Sequence, residues 1–407
     1  MNYPPNVKKA LSLLADAGFC AYIVGGSLRD MMLKKEPHDW DITTSALPNE
    51  ILSVFSDYRT IPTGLQHGTV SVIIDGGLIE ITTYRIDGEY SDSRHPDSVR
   101  FTDDIALDLA RRDFTVNAMA YNEQNGLVDL FSGKADLDRK VIRCVGIPEQ
   151  RFCEDALRIL RALRFASKLG FEIESETLSA MQSCRSRLAD ISRERIQTEL
   201  FGILCGQTAE RTVGLMCSLG IDSYVFCRED NSPLTYAGLD KLENKPETRI
   251  AYLLRNDEYP VKSAVAVMRS LRSSNASLTA VTATVRGITQ PLPKPAPENA
   301  RRLMNAYGKH LDSVLDILSV IGDAEEVSRI RELIRIEAES SNCRSLSELK
   351  LRGNDISELG IASGKAIGII LERLLDEVIK DPEKNTRTYL LERAKYISTE
   401  ISTPRKE

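Results

Sequence analysis

Two hydrophobic periods share this chain, and the change from one to the other divides it. Val7, Leu11 and Leu14 recur at helical spacing across residues 6–17, with Gly18 as the stop. Apolar runs at 20–24 and 39–43 read as strands. The first, Ala21-Tyr22-Ile23-Val24, breaks at Gly25-Gly26 before a helical stretch from Ser27 to Lys34. Pro48 opens a helix whose apolar face includes Ile51, Leu52 and Phe55. Residues 69–74 and 78–84 alternate at period two around Asp75-Gly76-Gly77, which predicts a hairpin. The polar stretch 86–103, full of Asp, Ser, Arg and Pro, predicts a long mobile loop. From about Pro148 the period-two signal fades and helical spacing runs on, broken near 170, 188–192, 231–247 and 289–298. The prolines of 290–297 cannot lie inside a helix and mark a boundary between two helical domains. There is no internal repeat. The expected class is α+β, an N-terminal α/β domain with a mixed sheet followed by all-helical domains.

Composition narrows this picture. A chain of 407 residues is too long for one core and predicts two to four domains. Apolar content of 42% and charged content of 28% suit a soluble globular protein. With no run of about 18 apolar residues, a membrane span is not expected. The start Met1-Asn2-Tyr3-Pro4-Pro5 lacks signal-peptide character, so a cytoplasmic location is expected. The eight cysteines form no CxxC and read as reduced, mostly buried residues. The four histidines stand far apart, which excludes a histidine-rich metal site such as that of an HD phosphohydrolase. Net charge of −6 argues against a uniformly basic nucleic-acid binder. The charge is uneven, however. Residues 1–150 carry 15 Lys+Arg against 22 Asp+Glu, and residues 241–310 carry 12 against 5. Such a chain would gather metal ions at its acidic end and phosphates at its basic stretch, unless the latter is only a solvated face.

The candidate chemistry begins at Asp39-Trp40-Asp41, thirteen residues after Gly25-Gly26. Two carboxylates one residue apart on an extended strand point the same way and can hold two divalent cations. The glycine backbone can approach triphosphate oxygens closely, and free amides at a helix N-terminus can meet their charge. Strand, Gly-Gly, helix and acidic pair together predict a bound and attacked nucleoside triphosphate. Arg29, one turn into the helix, is placed for the triphosphate. Asp30 reads as a helix-face carboxylate or as an orienting partner, and Glu80 as a candidate third acidic group near the metals.

Further motifs follow in order. They are 62–70 (PTGLQHGTV), 111–118 (RRDFTVNA), 133–137 (GKADL), 154–165 (EDALRILRALRF) and 191–196 (ISRERI). The Gly-Gly and acidic-pair unit resembles the DNA polymerase β-like nucleotidyltransferase superfamily. The whole series is similar to the class II tRNA nucleotidyltransferases, the bacterial CCA-adding enzymes, and to their poly(A) polymerase relatives. The resemblance is strong over about residues 20–205 and thinner beyond, where Gly353-Asn354-Asp355 and Gly360 are similar to the tail of single-chain members. It implies a nucleotidyltransferase head at 1–148, a nucleotide-recognition neck at 149–205, a helical body at 206–290 and an RNA-binding tail at 291–407. It also implies addition of CCA to the tRNA acceptor end from CTP and ATP, with two Mg²⁺ ions. The HD domain of some members is missing, and so is the basic stretch of the bacterial poly(A) polymerases. The loop at 86–103 has full length, whereas it is shortened in relatives that add only CC. All three features favour complete CCA addition. The rivals are a poly(A) polymerase, a partial CC- or A-only enzyme, a nucleotidylating enzyme for a small molecule or protein, and a non-catalytic RNA binder on the same scaffold.

Base choice can be argued from the residues themselves. Asp155 and Arg158, read as i and i+3 on one helix, share a face. Cytosine and adenine each show an amino donor beside a ring-nitrogen acceptor, and a carboxylate beside a guanidinium complements that edge. Uracil and guanine present the reverse. The competing reading is an intrahelical ion pair. Arg161 and Arg164 continue the face, either toward phosphate or as a salt-bridge ladder with later Glu residues. The resemblance implies that Asp113 contacts the ribose hydroxyl and that Arg112 reaches a phosphate or the base region. Phe114 reads as core.

Overall fold

The computed structural model describes residues 3–87, 99–228 and 232–402. They divide into two compact units, Met1–Glu229 with Arg269–Ser273, and Asp230–Met268 with Ser274–Glu407.

The first unit opens with helix α1 (Pro5–Asp16), strand β1 (Ala21–Val24), helix α2 (Gly25–Met32), strand β2 (Trp40–Thr44) and helix α3 (Pro48–Val54). Helix α2 starts two residues before the expected Ser27. Proline sits at the first turn of both α1 and α3, where no N–H is required. Strands β3 (Arg59–Gly64), β4 (Thr69–Ile74) and β5 (Gly77–Thr83) follow. The β4–β5 turn is Asp75-Gly76, both at positive φ (49° and 82°), the two-residue geometry that matches strand twist. Alternate residues of β4 are buried, Val70, Val72 and Ile74, as the period-two pattern requires.

The sheet has seven strands in the order β3-β4-β5-β2-β1-β8-β9, with β8 at Ala120–Asn122 and β9 at Gly126–Val128. Only β2 and β5 pair in parallel, so the sheet is mixed. Within the predicted loop, β6 (Arg85–Asp87) and β7 (Val99–Phe101) pair antiparallel instead of being irregular. The rest of that expectation, residues 88–98, lies outside the described residues. Helix α4 (Ile105–Ala110) follows, capped by Asp104 Oδ1, which accepts from the Ala106 amide at 2.8 Å. Asp104→Ala is expected to cost ~1 kcal/mol in urea-induced unfolding, because a helix this short has few other bonds to hold its first turn.

Helix α5 (Gly133–Arg139) and a short parallel pair, β10 (Val141–Ile142) with β11 (Glu172–Ile173), bracket the start of the helical part. The sequence pattern did not show this late pair, because two-residue strands carry no periodicity. Between the two strands run α6 (Pro148–Glu154) and α7 (Leu157–Leu169), and α8 (Ser175–Cys184) and α9 (Arg193–Leu204) follow. Helix α7 packs closely on α9. A Cβ on Gly202 would lie 2.4 Å from Arg164 Cδ, so glycine there leaves the path open for that arginine stem.

The second unit is helical among its described residues. One core gathers Leu303, Val314, Leu315, Val327 and Ile330, and another Leu351, Ile370, Leu374, Val378 and Leu390. A buried ion pair, Arg301 Nη1 to Glu337 Oε1 at 2.8 Å, is fixed further by Arg301 Nε donating to Ile379 O at 2.8 Å. The proline-rich 290–297 segment, irregular up to Ala296, joins the helices Asn275–Ile288 and Pro297–Tyr307.

Candidate active site

Gly25 turns the chain out of β1 at φ +67°, a region closed to side chains without strain. A Cβ there would also stand 3.2 Å from Arg112 Nη1 and 3.6 Å from Asp41 Oδ2. The glycine therefore lets the first turn of α2 approach both the acidic strand and the arginine of the 111–118 motif. Asp41 sits on β2 directly opposite Glu80 of β5 in parallel register, so both point to one sheet face. Burial, then Glu80, pushes the Asp41 carboxyl up to about 6; Arg112 opposes this and Asp39 adds to it. Asp39 lies just before β2 and is exposed.

Gly25, Asp41 and Arg112 border a cavity of about 700 Å³. Gly25, Gly26, Arg29, Asp41, Arg112, Asp113, Asp155, Arg158, Arg161 and Arg164 all line it, so the fold brings together every expected site residue except Asp39, which is not among the lining residues. They arrive from α2, β2, the turn after α4, the α6–α7 junction and α7.

The side chains form one connected network. Arg29 donates through Nε and Nη2 to Asp30 Oδ1 (2.9 and 2.7 Å) and through Nη1 to Asn117 Oδ1 at 2.7 Å. Asp30 is thus the orienting partner of Arg29 rather than only a helix-face carboxylate. Asn117 Nδ2 donates to Asp113 Oδ1 at 3.1 Å, and Arg161 donates through Nε and Nη2 to Asp113 Oδ2 at 2.9 and 2.7 Å. Burial raises the Asp113 carboxyl, but Arg161 and the Asn117 bond outweigh it and hold it below the ordinary range. Arg164 Nε donates to Glu199 Oε2 at 2.6 Å, so an ion pair with a later Glu and a place on the cavity coexist. The guanidiniums of Arg29, Arg161 and Arg164 all lie over Phe165, at 5.2, 5.4 and 4.5 Å. Phe114 is core, edge-on to Phe165 at 5.7 Å.

One expectation is corrected. Asp155 and Arg158 do not share a helix. Asp155 is the extended residue (φ −145°, ψ 103°) that ends α6, and Arg158 lies in the first turn of α7. They are not paired with each other in the bonds that hold them. Asp155 accepts from Leu157 N at 3.0 Å and from Arg195 Nη2 at 2.7 Å, while Arg158 Nη1 donates to Glu154 Oε2 at 2.6 Å. The acid ends one helix and starts the next, which is the ordinary use of Asp at a helix start.

Sequence reasoning passed over Asp108, Asn117, Arg195 and Glu199. Asp108 has no exposed surface and pairs with both Arg111 and Arg112. Its spacing of three and four residues before two arginines was the available signal. Asn117 and Arg195 lie inside quoted motifs but reveal their partners only in three dimensions. No described residues group three His, Cys, Asp or Glu side chains in a geometry ready for a metal ion.

Comparison with known proteins agrees with this arrangement. Three family models match in order: "Poly A polymerase head domain" over residues 21–143, "Probable RNA and SrmB-binding site of polymerase A" over 170–229, and "tRNA nucleotidyltransferase domain 2" over 243–394. The CCA-adding enzyme of Pediococcus pentosaceus is 36% identical over 393 residues, 95% of this chain and 96% of that one. That of Oceanobacillus iheyensis is 47% identical over 212 residues, 52% of each chain. Among solved structures, the Bacillus stearothermophilus CCA-adding enzyme in complex with CTP superposes with a TM-score of 0.81 at 29% identity, covering 98% of this chain and 100% of that one. Agreement along nearly the whole length, in sequence and in fold, makes this chain a member of the CCA-adding enzyme family.

Proposed function

We infer that this chain adds cytidine, cytidine and adenosine to the 3′ end of tRNA, using CTP and ATP and releasing pyrophosphate. The observation that carries the reading is the single cavity edge on which Gly25, Asp41, Arg112, Asp113, Asp155 and Arg158 meet, within a chain that matches CCA-adding enzymes almost end to end. We assign the head to 1–148, the neck to 149–205, the body to 206–290 and the tail, with RNA contacts, to 291–407. No helix among the described residues is long and apolar enough to cross a membrane, and we place the enzyme in the cytoplasm.

The donor set suits magnesium. Asp41, Glu80 and Asp39 are hard oxygen donors; burial first, and then Glu80 and Asp39, raise the Asp41 carboxyl, and a divalent cation would relieve the repulsion among them. Asp39 and Asp41, with Glu80 beside them, would hold two Mg²⁺ ions, which when bound supply acidification of the attacking 3′-hydroxyl and charge for the departing pyrophosphate. Arg29, Arg161 and Arg164, spaced around Phe165, present three cations to the triphosphate. Arg112 Nη1 and Asp41 Oδ2 both face the Gly25 turn, and we place phosphoryl attack next to it. Asp113, already ionised and oriented by Arg161 and Asn117, faces the ribose. Asp155 and Arg158 meet the base edge from the two sides of the α6–α7 junction. Catalysis is then mainly positioning and charge stabilisation.

The test is a sequencing gel. Purified protein with Mg²⁺, CTP and ATP is expected to extend a tRNA lacking its terminal trinucleotide by three nucleotides and then stop. Continued adenosine addition would indicate a poly(A) polymerase, and arrest after two cytidines a partial enzyme.

A further inference from the structure

Asp108 is the most heavily bonded carboxylate beside the cavity, yet it does not line it. Its side chain has no exposed surface. Oδ1 accepts from Arg111 Nε at 3.0 Å, from Arg111 Nη2 at 2.8 Å and from the Arg85 amide at 3.3 Å. Oδ2 accepts from Arg112 Nη2 at 3.2 Å and from Thr43 Oγ1 at 3.3 Å. One group thereby joins three elements. Thr43 is two residues beyond Asp41 on β2, hence on the same sheet face. Arg85 begins β6, and its side chain lines the cavity. Arg111 and Arg112 close α4.

Arg112 is caught between two acids. One terminal nitrogen is held by Asp108, and the other lies 3.2 Å from the Cβ position of Gly25, which is itself 3.6 Å from Asp41 Oδ2. Its Nε is buried and has no hydrogen-bond partner among the described residues. A guanidinium normally carries rotamer freedom that must be lost on binding an anion. Here a buried carboxylate has already removed it. Burial raises the Asp108 carboxyl, but Arg111 and Arg112 more than reverse this, so the group is an anion at any working pH.

We propose that Asp108 is a positioning residue for nucleotide binding: it aims the Arg112 guanidinium at the Gly25 turn on the cavity wall, where it meets the triphosphate of CTP and of ATP alike. The inference rests on the nucleotidyl-transfer reading above. Asp108 touches neither substrate nor metal, and it acts through Arg112.

The test is a double-mutant cycle on the full chain, with CMP incorporation measured on tRNA lacking its last three nucleotides and AMP incorporation on tRNA lacking only its terminal adenosine. Asp108→Asn removes the charge and turns one acceptor oxygen into a donor that faces guanidinium N–H groups. Charge-assisted bonds of this kind are worth enough to shift binding by about 10-fold or more. The expected result is a rise of about 10-fold in KM for both CTP and ATP, with a smaller change in kcat. In an Arg112→Met background the same substitution should change KM by less than about 2-fold, since the group it aims is gone. A merely structural Asp108 would impose the same factor in both backgrounds, and that result overturns the proposal, as does an unchanged KM. If Asp108→Asn does not melt cooperatively, Thr43→Val takes its place. It removes one donor from the same carboxylate and should raise KM in the same direction, again only while Arg112 is present; equal effects in the two backgrounds overturn the proposal. Failure of the unmodified protein to incorporate CMP would overturn the transfer reading itself, and this inference with it.

Discussion

Replacing Asp41 with asparagine is expected to lower nucleotide incorporation by at least ~10³-fold while making the metal-free protein more stable. The first effect follows from the role given to Asp41. Loss of metal-borne charge stabilisation costs several kcal/mol, and each 1.36 kcal/mol is about tenfold in rate. Single-turnover kinetics with saturating CTP would measure it, and a loss of less than about tenfold would remove Asp41 from the catalytic pair. The second effect follows from its surroundings. The Asp41 carboxyl stands at about 6, above its ordinary 3.8, because burial and then Glu80 disfavour the charge. Folding therefore retains a proton that the unfolded chain has already released. Stability falls as pH rises from about 4 through about 6, and the penalty is complete above that window. A rise of this size corresponds to at most ~3 kcal/mol, and screening by solvent lowers it to ~1–2 kcal/mol. Asparagine carries no such penalty. At pH 8 with EDTA the variant should thus resist urea better than the parent, and the gap should close near pH 4. Mg²⁺ should stabilise the parent and leave the variant almost unchanged, since only the parent offers the full anionic donor set. A catalytic residue that is costly to the resting fold is what a site built for charge predicts.

Much of this site was legible in the sequence, and the division between read and unread follows the range of the forces involved. The Gly25-Gly26 turn, β2 with its acidic residue and the β4–β5 hairpin are all local. Each is fixed by period, by glycine at positive φ, or by proline at a first helical turn. The motif series placed Arg112, Asp113, Asp155, Arg158, Arg161 and Arg164 near a nucleotide, and the fold gathers them on one cavity. What the sequence did not show is how these groups hold one another. The path Asp30–Arg29–Asn117–Asp113–Arg161–Glu199–Arg164 runs from α2 to α9. Apart from Arg29–Asp30 and Asp113–Asn117, its links are long-range, spanning up to 88 positions, and no local spacing encodes them. The pairing of Asp41 with Glu80 depends likewise on β2 and β5 pairing in parallel where the other neighbours in the seven-stranded sheet are antiparallel. The break at Asp155 was misread for a different reason. Glu154-Asp155-Ala156 holds neither Gly nor Pro, and an Asp that caps the next helix looks, in sequence, like one more residue of a continuous helix.

That break makes the second large prediction sharper. Asp155→Ala is expected to reduce kcat/KM for both CTP and ATP by ~10–100-fold and to cut the preference for CTP over UTP by at least ~10²-fold. On a continuous helix, Asp155 and Arg158 would neutralise each other, and removing the acid would simply free the arginine. Here each is held by another group. Arg195 Nη2 fixes one oxygen of Asp155 at 2.7 Å and the Leu157 amide fixes the other at 3.0 Å. Glu154 and the backbone carbonyls of Arg151 and Arg111 fix Arg158. The acceptor and the donor are thus set independently on the two sides of the junction, and the Asp155 carboxylate keeps lone pairs for a base edge. Cytosine and adenine, with an amino group beside a ring nitrogen, satisfy both. Uracil and guanine leave both unsatisfied, at a cost of ~1–3 kcal/mol for each buried group. Alanine at 155 removes the acceptor, so the correct bases lose a bond and the wrong ones lose an obstacle. Arg158→Ala should act through the donor in the same way, with Glu154 left paired to Arg151 alone. Competition between CTP and UTP for the first added nucleotide measures the ratio directly, and thermal melting of each variant separates altered recognition from altered folding. If the CTP-to-UTP ratio of a cooperatively folded Asp155→Ala protein equals that of the parent, the α6–α7 junction does not read the base.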